Sequence, residues 1–311
     1  MGASLSRRSR NRSPRGKRPT DQRDTCSHSS ISPSVKGTTI QGRVYHDVES
    51  SVYFFPMDEI EQDRLHGQHF GLKALFNGNL LAPVRDTVDL ENHCHVLDVG
   101  CGPGSWLLDL ATSHPNSKFV GVDIVDMFPS TIKPPNTEFH VANVLDGLPM
   151  FSDNSFDLVQ MRLFASVLKG DQWIKTLTEL KRVCRPGGMI QLLEVDYKVG
   201  FNLKFYNVTG NQFVNKFTSK RELMRPLVSI MASRGQDGEA AKKLAPMLTQ
   251  AGFINPHTDH RPIAGGWDGA LSHEIWLDIK NAMSAAAPIV APGYGMDTAG
   301  YLAYLNETLE N

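Results

Sequence analysis

The stretch Val96-Leu97-Asp98-Val99-Gly100-Cys101-Gly102-Pro103-Gly104 decides the fold of this chain. It predicts a short apolar strand that runs into three closely spaced glycines, whose missing Cβ atoms let the backbone turn tightly and approach a ligand. Apolar residues recur at helical spacing over 105–111, so a helix follows the turn. Because a helix N-terminus presents unpaired N–H groups, this corner is predicted to bind a nucleotide.

The glycine spacing selects among adenosine-bearing ligands. A dinucleotide fingerprint requires G-x-G-x-x-G, whereas here position 105 is Ser and the third glycine comes one residue early. Asp98 stands two residues before Gly100, and Asp123 ends the next apolar strand, where its carboxylate can accept both ribose hydroxyls. These features favour S-adenosylmethionine over NAD.

Length and composition set limits on the architecture. The chain has 311 residues, of which 41% are hydrophobic and 21% charged, as expected for one globular α/β domain with additions. The sequence contains no apolar stretch of about eighteen residues, so no membrane span is predicted. The four cysteines lack metal-ligand spacing, and His93, Cys94 and His95 alternate across a strand. We therefore predict no metal site and a reducing, cytoplasmic location.

Charge separates the chain into a basic tail and an acidic remainder. Residues 1–25 carry a net charge of +6, although the whole chain has −1. Residues 1–42 contain few apolar side chains and are predicted to be disordered. The first six residues match the pattern for myristoylation of Gly2, which together with the arginines would give peripheral membrane contact. An unmodified tail and a nuclear-localisation signal are the alternatives.

Strand and helix patterns alternate through residues 43–311, which we assign to one α/β domain with its core at 95–196. Asp58 and Glu61 form a predicted capping box that begins a helix ending near Phe76, ahead of the first strand. Further strands are predicted at 118–123, 137–142, 156–161, 189–195 and 253–263. This alternation predicts a Rossmann-like, doubly wound, mostly parallel sheet covered on both faces. A helical lid is expected at about 200–237, and C-terminal helices at about 270–309.

The motifs VLDVGCGPG, GVDI, FHVANVLDGLPMFSDNSFDLVQMR and LKRVCRPGGMIQLLEVD resemble, in this order, the class I S-adenosylmethionine-dependent methyltransferases over about residues 95–196. The segments RVYHDVESSVYFFPMDEIEQDRLHGQHF and GGWDGALSHEIWLDIKNAM are similar to the fungal LaeA-like methyltransferases, a group tied to secondary metabolism. The resemblance also implies a final antiparallel strand in the sheet. No apolar run follows Leu309, so that strand is either missing or the sheet closes differently.

The resemblance implies a role in cofactor binding for a set of residues around the glycine turn. The turn itself, with Cys101 as a small side chain within it, would pass beneath the methionine moiety, and Asp98 would orient the turn or reach the ammonium group. Asp123 would accept the ribose hydroxyls. The full predicted set is Asp98, Gly100, Cys101, Gly102, Gly104, Asp123, Ile124, Asn143, Val144, Met161 and Arg162.

Four members of this set carry alternatives. Ile124 packs on the adenine or in the core, and Arg162 lines the site or forms a structural ion pair. Asn143 stands where many relatives carry an acid; its amide oxygen can still accept from the adenine amino group, and the Val144 N–H can pair with a ring nitrogen.

Methyl transfer from a sulfonium requires mainly alignment and exclusion of water, so no catalytic residue is predicted. Tyr53, His66 and His69 are the candidates for the acceptor side. We expect a small-molecule acceptor in secondary metabolism; the alternative is a regulatory or protein-directed methyltransferase of the LaeA kind, with a protein partner. No nucleic-acid partner is expected, because the folded part is acidic.

Overall fold

A computed structural model describes residues 37–49, 51–197, 204–207, 224–263 and 269–310. Most of the predicted basic tail, including Gly2, lies outside the described residues. Strand β1 (Gly37–Ile40) pairs antiparallel with β2 (Arg43–His46), and Arg43 donates two hydrogen bonds of 2.6 and 2.8 Å to Asp58. Residues 37–42 therefore belong to a hairpin tied to the domain, in contrast to the predicted tail boundary at residue 42.

Two helices precede the central sheet, α1 (Glu59–Leu75) and α2 (Ala82–Thr87). Asp58 caps α1 as predicted, because its carboxylate accepts a hydrogen bond of 3.1 Å from the Glu61 N–H. The other half of the predicted capping box is replaced. The Glu61 side chain accepts from Arg64 instead, at 2.5 and 2.9 Å.

The central sheet contains, within the described residues, seven strands. These are β3 (His95–Val99), β4 (Lys118–Asp123), β5 (Thr137–Val141), β6 (Phe156–Arg162), β7 (Cys184–Asp196), β8 (Lys204–Asn207) and β9 (Asp259–Pro262). Their spatial order is β5-β4-β3-β6-β7-β8-β9, and the five strands from β3 to β7 are mutually parallel. The predicted Rossmann-like α/β fold is confirmed.

The last two strands resolve how the sheet closes. Strand β8 is antiparallel to both β7 and β9, so β9 runs in the direction of the five parallel strands. The antiparallel strand is thus supplied by residues 204–207, upstream of β9, and not by the C-terminus. These residues fall within the predicted helical lid at about 200–237, which in the described residues is this strand together with α5 (Met224–Ser233).

The remaining helices cover the sheet and build its C-terminal additions. They are α3 (Ser105–Ser113), α4 (Gln172–Val183), α6 (Ala240–Gln250), α7 (Gly269–Ala285), α8 (Ala287–Val290) and α9 (Thr298–Glu310), with short 3-10 helices at Val144–Asp146, Phe164–Ser166 and Ala291–Tyr294. Side chains alternate along the strands. Leu97 and Val159 pack in the core with α4 and α6, whereas Val96 and Leu158 pack in the core with α2 and α3.

Candidate functional site

The turn between β3 and α3 takes backbone conformations that favour glycine. The φ angles are +67° at Gly100 and +79° at Gly104. A Cβ atom on Gly100 would lie 2.3 Å from Cε2 of Phe164, and one on Gly104 would lie 2.9 Å from Cε1 of Phe139. Two aromatic rings therefore close against the turn and leave no space for a side chain at Gly100 or Gly104.

The Asp123 carboxylate at the end of β4 holds this turn in place. Its Oδ2 accepts a hydrogen bond of 2.7 Å from the Gly102 N–H, and its Oδ1 accepts one of 3.0 Å from the Val125 N–H. Burial raises the pKa of the Asp123 carboxyl, while the backbone N–H groups act in the opposite direction. One carboxylate thus links two neighbouring strand ends.

A cavity opens at the carboxyl ends of the parallel strands, with further walls from α1 and the C-terminal helices. Ten of the fourteen predicted site residues line it: Tyr53, His69, Gly100, Cys101, Gly102, Asp123, Ile124, Asn143, Val144 and Arg162. They come from segments spread over more than a hundred residues of sequence. The structure therefore brings most of the predicted residues to one place.

Met161 does not line this cavity. Its side chain is fully buried in the core that includes Val159 and Leu177, on the sheet face opposite to Asp98. Since Val99 pairs with Met161 and Asp98 with Gln160, the pleat directs Met161 and Asp98 to different faces. Of the two contacts that the resemblance implies for Met161, the one through its thioether is therefore wrong, because the side chain packs in the core; the one through its backbone carbonyl stays a prediction.

The other three predicted residues border the cavity without lining it. Gly104 is the N-cap of α3, and the Nδ1 atom of His66 lies 2.7 Å from the Ser105 hydroxyl in the first turn of that helix. Asp98 is buried within β3, and its Oδ2 has no hydrogen-bond partner. Burial raises the pKa of Asp98 to about 7, although the charge of Arg162 acts to lower it. An unpartnered buried oxygen costs about 1–3 kcal/mol, which a donor from a ligand would recover.

Asn143 has a local structural role at the end of β5. It is the N-cap of the 3-10 helix Val144–Asp146, and its Oδ1 accepts a hydrogen bond of 3.1 Å from the Leu145 N–H. A carbonyl oxygen has two lone pairs, so the amide oxygen is an acceptor of the kind that the predicted contact with the adenine amino group requires. The predicted role of Asn143 is compatible with this geometry.

A buried ion network at one wall escaped the sequence-based predictions. Arg64 of α1 donates to Glu61 and, at 2.7 Å, to Asp278 of α7; Gln68 donates to the other oxygen of Asp278 at 2.9 Å. Arg64 and Asp278 both line the cavity. The three-residue spacing of Glu61 and Arg64 indicates a shared helix face, so their ion pair could have been predicted. Asp278 is 214 residues from Arg64 in the sequence, and no local pattern connects them.

The rest of this wall is apolar and comes from the C-terminal helices. Its lining residues are Ile279, Ala282, Met283, Ala286, Val290 and Tyr301. The sequence predicted helices there but assigned them no role. An amphipathic pattern predicts that one face of a helix is buried, but it does not show whether that face packs on protein or lines a cavity. This wall is therefore identified only from the packed structure.

Among the described residues, no helix is long and apolar enough to cross a membrane. In the same residues, no group of three or more His, Cys, Asp or Glu side chains is arranged to hold a metal ion.

A family model described as a methyltransferase domain matches residues 96–188, which include the glycine turn, Asp123 and β6. The α/β core is therefore similar to a methyltransferase domain over these residues. The chain is 32% identical over 157 residues to the "Secondary metabolism regulator LAE1" of Cochliobolus heterostrophus, covering 50% of each chain. The predicted resemblance to class I methyltransferases of the LaeA kind is confirmed.

A second relative carries a different name. The chain is 28% identical over 159 residues to the "Protein-methionine methyltransferase laeA" of Emericella nidulans, covering 50% of this chain and 40% of that protein. The chain spans about half the length of the curated relatives it matches. Among solved structures, a putative sarcosine dimethylglycine methyltransferase from Galdieria sulphuraria is 14% identical, with 86% of this chain and 88% of that chain covered and a TM-score of 0.43.

The glycine turn generates a paired prediction. Gly100→Ala and Gly102→Ala both place alanine at a positive φ, which costs about 1–2 kcal/mol. At Gly100 the new methyl group also meets Phe164, whereas at Gly102 the nearest atom, Cδ1 of Leu65, is 3.7 Å away. We expect Gly100→Ala to lose about 1–3 kcal/mol more in urea unfolding than Gly102→Ala. Equal losses would show that the Phe164 ring moves aside without cost.

Proposed function

We propose that the chain is an S-adenosylmethionine-dependent methyltransferase that methylates a small molecule. The observation that carries this proposal is the placement of Asp98 and Asp123 on adjacent strands around a glycine turn that is crowded by aromatic rings at Gly100 and Gly104. The match of residues 96–188 to a methyltransferase domain supports the same reaction class.

The residues present fit S-adenosylmethionine. The unpartnered Oδ2 of Asp98 is an acceptor for a cationic donor such as the ammonium group. Asp123 would hold the ribose hydroxyls, because each of its oxygens has a lone pair beyond the one used by the backbone. Ile124 and Val144, which line the cavity next to it, offer apolar surface for the adenine.

Bound there, the cofactor would supply a methyl group on a sulfonium, which passes in line to a nucleophile of the acceptor as the neutral thioether S-adenosylhomocysteine leaves. The chain has to orient the two reactants and exclude water from them. The glycine turn and Asp123 provide the orientation, and the apolar wall from α7, α8 and α9 excludes water. No side chain is assigned as a catalytic base.

The acceptor side of the cavity supports a small, largely apolar molecule. Its wall is formed by aliphatic and aromatic side chains, and its charged groups Arg64 and Asp278 are already paired with each other. A highly charged acceptor would have to displace that ion pair or remain without a partner, both of which are costly inside a protein.

A protein acceptor is the second candidate, favoured by the name of the Emericella nidulans relative, a protein-methionine methyltransferase. A methionine side chain is neutral and apolar, so the same wall would suit it. A small-molecule acceptor and a protein acceptor therefore differ here in size and not in polarity.

Incubation of the purified chain with methyl-labelled S-adenosylmethionine and an extract of its source organism tests the acceptor class. We expect label in the small-molecule fraction after ultrafiltration, because the apolar wall lines a cavity between the strand ends and the helices. The Asp123→Ala variant serves as the inactive control. Label that enters only the protein fraction would contradict the small-molecule proposal and support the second candidate.

Asp123 gives a direct binding prediction. Hydrogen bonds to a charged group contribute about 1.5–3 kcal/mol, so Asp123→Ala should weaken binding of S-adenosylhomocysteine by about ten- to a hundredfold. Isothermal titration calorimetry measures this change. Asp126→Ala is the matched control, because Asp126 is an exposed aspartate three residues away that does not line the cavity. An unchanged affinity in Asp123→Ala would remove this residue from the cofactor site.

The titration of Asp98 predicts how the affinity for S-adenosylhomocysteine depends on pH. With a pKa of about 7, the free carboxyl is protonated below neutrality and must lose its proton to pair with an ammonium group. Affinity for S-adenosylhomocysteine should therefore fall as pH drops below about 7, by up to about tenfold per pH unit. Asp98→Asn should bind more weakly at pH 7.5 and show no such slope. A slope that persists in Asp98→Asn would assign the titration to another group.

A further inference from the structure

Three polar groups near the glycine turn lack the partners that their burial demands. Oδ2 of Asp98 and Nδ1 of His69 are buried atoms with no hydrogen-bond partner among the residues that the structure describes. Within the described part of the chain, the half-buried guanidinium group of Arg162 forms neither a hydrogen bond nor an ion pair. Unmatched groups of this kind cost stability, and a ligand that supplies the missing partners would recover the loss.

The three groups lie on the same side of the sheet. Asp98 pairs in register with Gln160, and Arg162, two residues further along β6, shares the face of Gln160. Helix α3 packs on this face. His69 reaches the same place from α1, because its Nε2 lies 3.1 Å from Oδ2 of Asp109 in α3. His69 and Arg162 both line the cavity.

The hydrogen bond to Asp109 fixes which nitrogen of His69 is protonated. A carboxylate oxygen can only accept, and this one also accepts from Lys73 at 2.6 Å and from Asn79 at 2.7 Å. Nε2 is therefore the donor. Burial, followed by the positive charge of Arg162, lowers the pKa of His69 to about 4, so the ring is neutral at pH 7. Nδ1 then carries a free lone pair beside the cavity.

The Asp98 carboxylate (Oδ2), the His69 imidazole (Nδ1) and the Arg162 guanidinium group, which lack hydrogen-bond partners at these atoms among the described residues, complement a specific ligand chemistry. A carboxylate and a neutral imidazole accept from an ammonium group, and a guanidinium group donates to a carboxylate. The net charge of the three side chains, with Asp98 ionised, is zero, as is that of an α-amino-acid zwitterion. The groups therefore match the amino-acid end of a ligand and not its adenosine end.

We propose that His69, held by Asp109, and Arg162 clamp the amino-acid end of the cofactor together with Asp98. This inference rests on the proposed function. It moves His69 from the predicted acceptor side to the cofactor, and it places part of the cofactor site on α1, outside the methyltransferase-domain match at 96–188. Asp109 is a positioning residue, because it acts through His69.

Two ligands that share the adenosine part test this proposal. S-adenosylhomocysteine carries the amino-acid end, whereas 5′-methylthioadenosine lacks it, and calorimetry measures the affinity of each variant for both. His69→Asn and Arg162→Gln should each lose about ten- to a hundredfold in affinity for S-adenosylhomocysteine and change less than about threefold for 5′-methylthioadenosine. Arg162→Lys should recover part of the loss, because it restores the positive charge.

Asp109→Asn provides a readout that a merely structural role would not give. The amide can donate to Nε2 and so shift the proton to Nδ1, which would turn the acceptor into a donor facing the ammonium group. We expect the same selective loss for S-adenosylhomocysteine. For His69→Asn, the matched control is His114→Asn, because His114 also contacts a carboxylate, Glu91 at 2.8 Å, but does not line the cavity.

The possible outcomes separate the two proposals. Equal losses for both ligands in the His69 and Arg162 variants would show that these residues act on the fold. An unchanged affinity of these variants for S-adenosylhomocysteine would assign the three groups to a zwitterionic acceptor instead. Each of these results would overturn the clamp. If the unmodified chain bound neither ligand, the proposed function itself would fail, and this inference with it.

Discussion

The close approach of Gly100 to the Phe164 ring is the constraint on which the site depends. Phe164 belongs to the 3-10 helix that follows β6, and Glu194 of β7 holds that helix by accepting from the N–H groups of Phe164 at 2.6 Å and Ala165 at 2.9 Å. The ring then closes against the glycine turn. Three adjacent strand ends are thus locked together, which fixes the floor of the cavity before any ligand enters it.

The period-two alternation of the strands decides which predicted residues reach the site. Sequence spacing identified the strand ends correctly, because apolar runs bounded by glycine and aspartate mark them clearly. It did not distinguish the two faces at the end of β6, where Met161 enters the core and Arg162 lines the cavity. Strand β6 is buried along nearly its whole length, and its polar residues Asp157, Gln160 and Arg162 fall on both faces, so its pattern carries no clear signal for the face.

Interactions over long sequence distances were beyond prediction for a different reason. The ion pair between Arg64 and Asp278 joins helices that are 214 residues apart, and neither side chain stands in a motif. The antiparallel strand β8 is only four residues long and lies before β9 in the chain, although the resemblance placed such a strand near the C-terminus. Both features depend on tertiary pairing, which local propensity does not encode.

Helix α1 connects the two ends of the cavity. Positions four residues apart on a helix share a face, so Arg64 and Gln68 form one row and Leu65, His69 and Lys73 form the next. The first row binds Asp278 of α7, beside the apolar wall. In the second row, His69 and Lys73 bind Asp109 of α3, beside the glycine turn. A shift of α1 would therefore disturb both ends together, so the position of this one helix sets the distance between the proposed cofactor and acceptor sites.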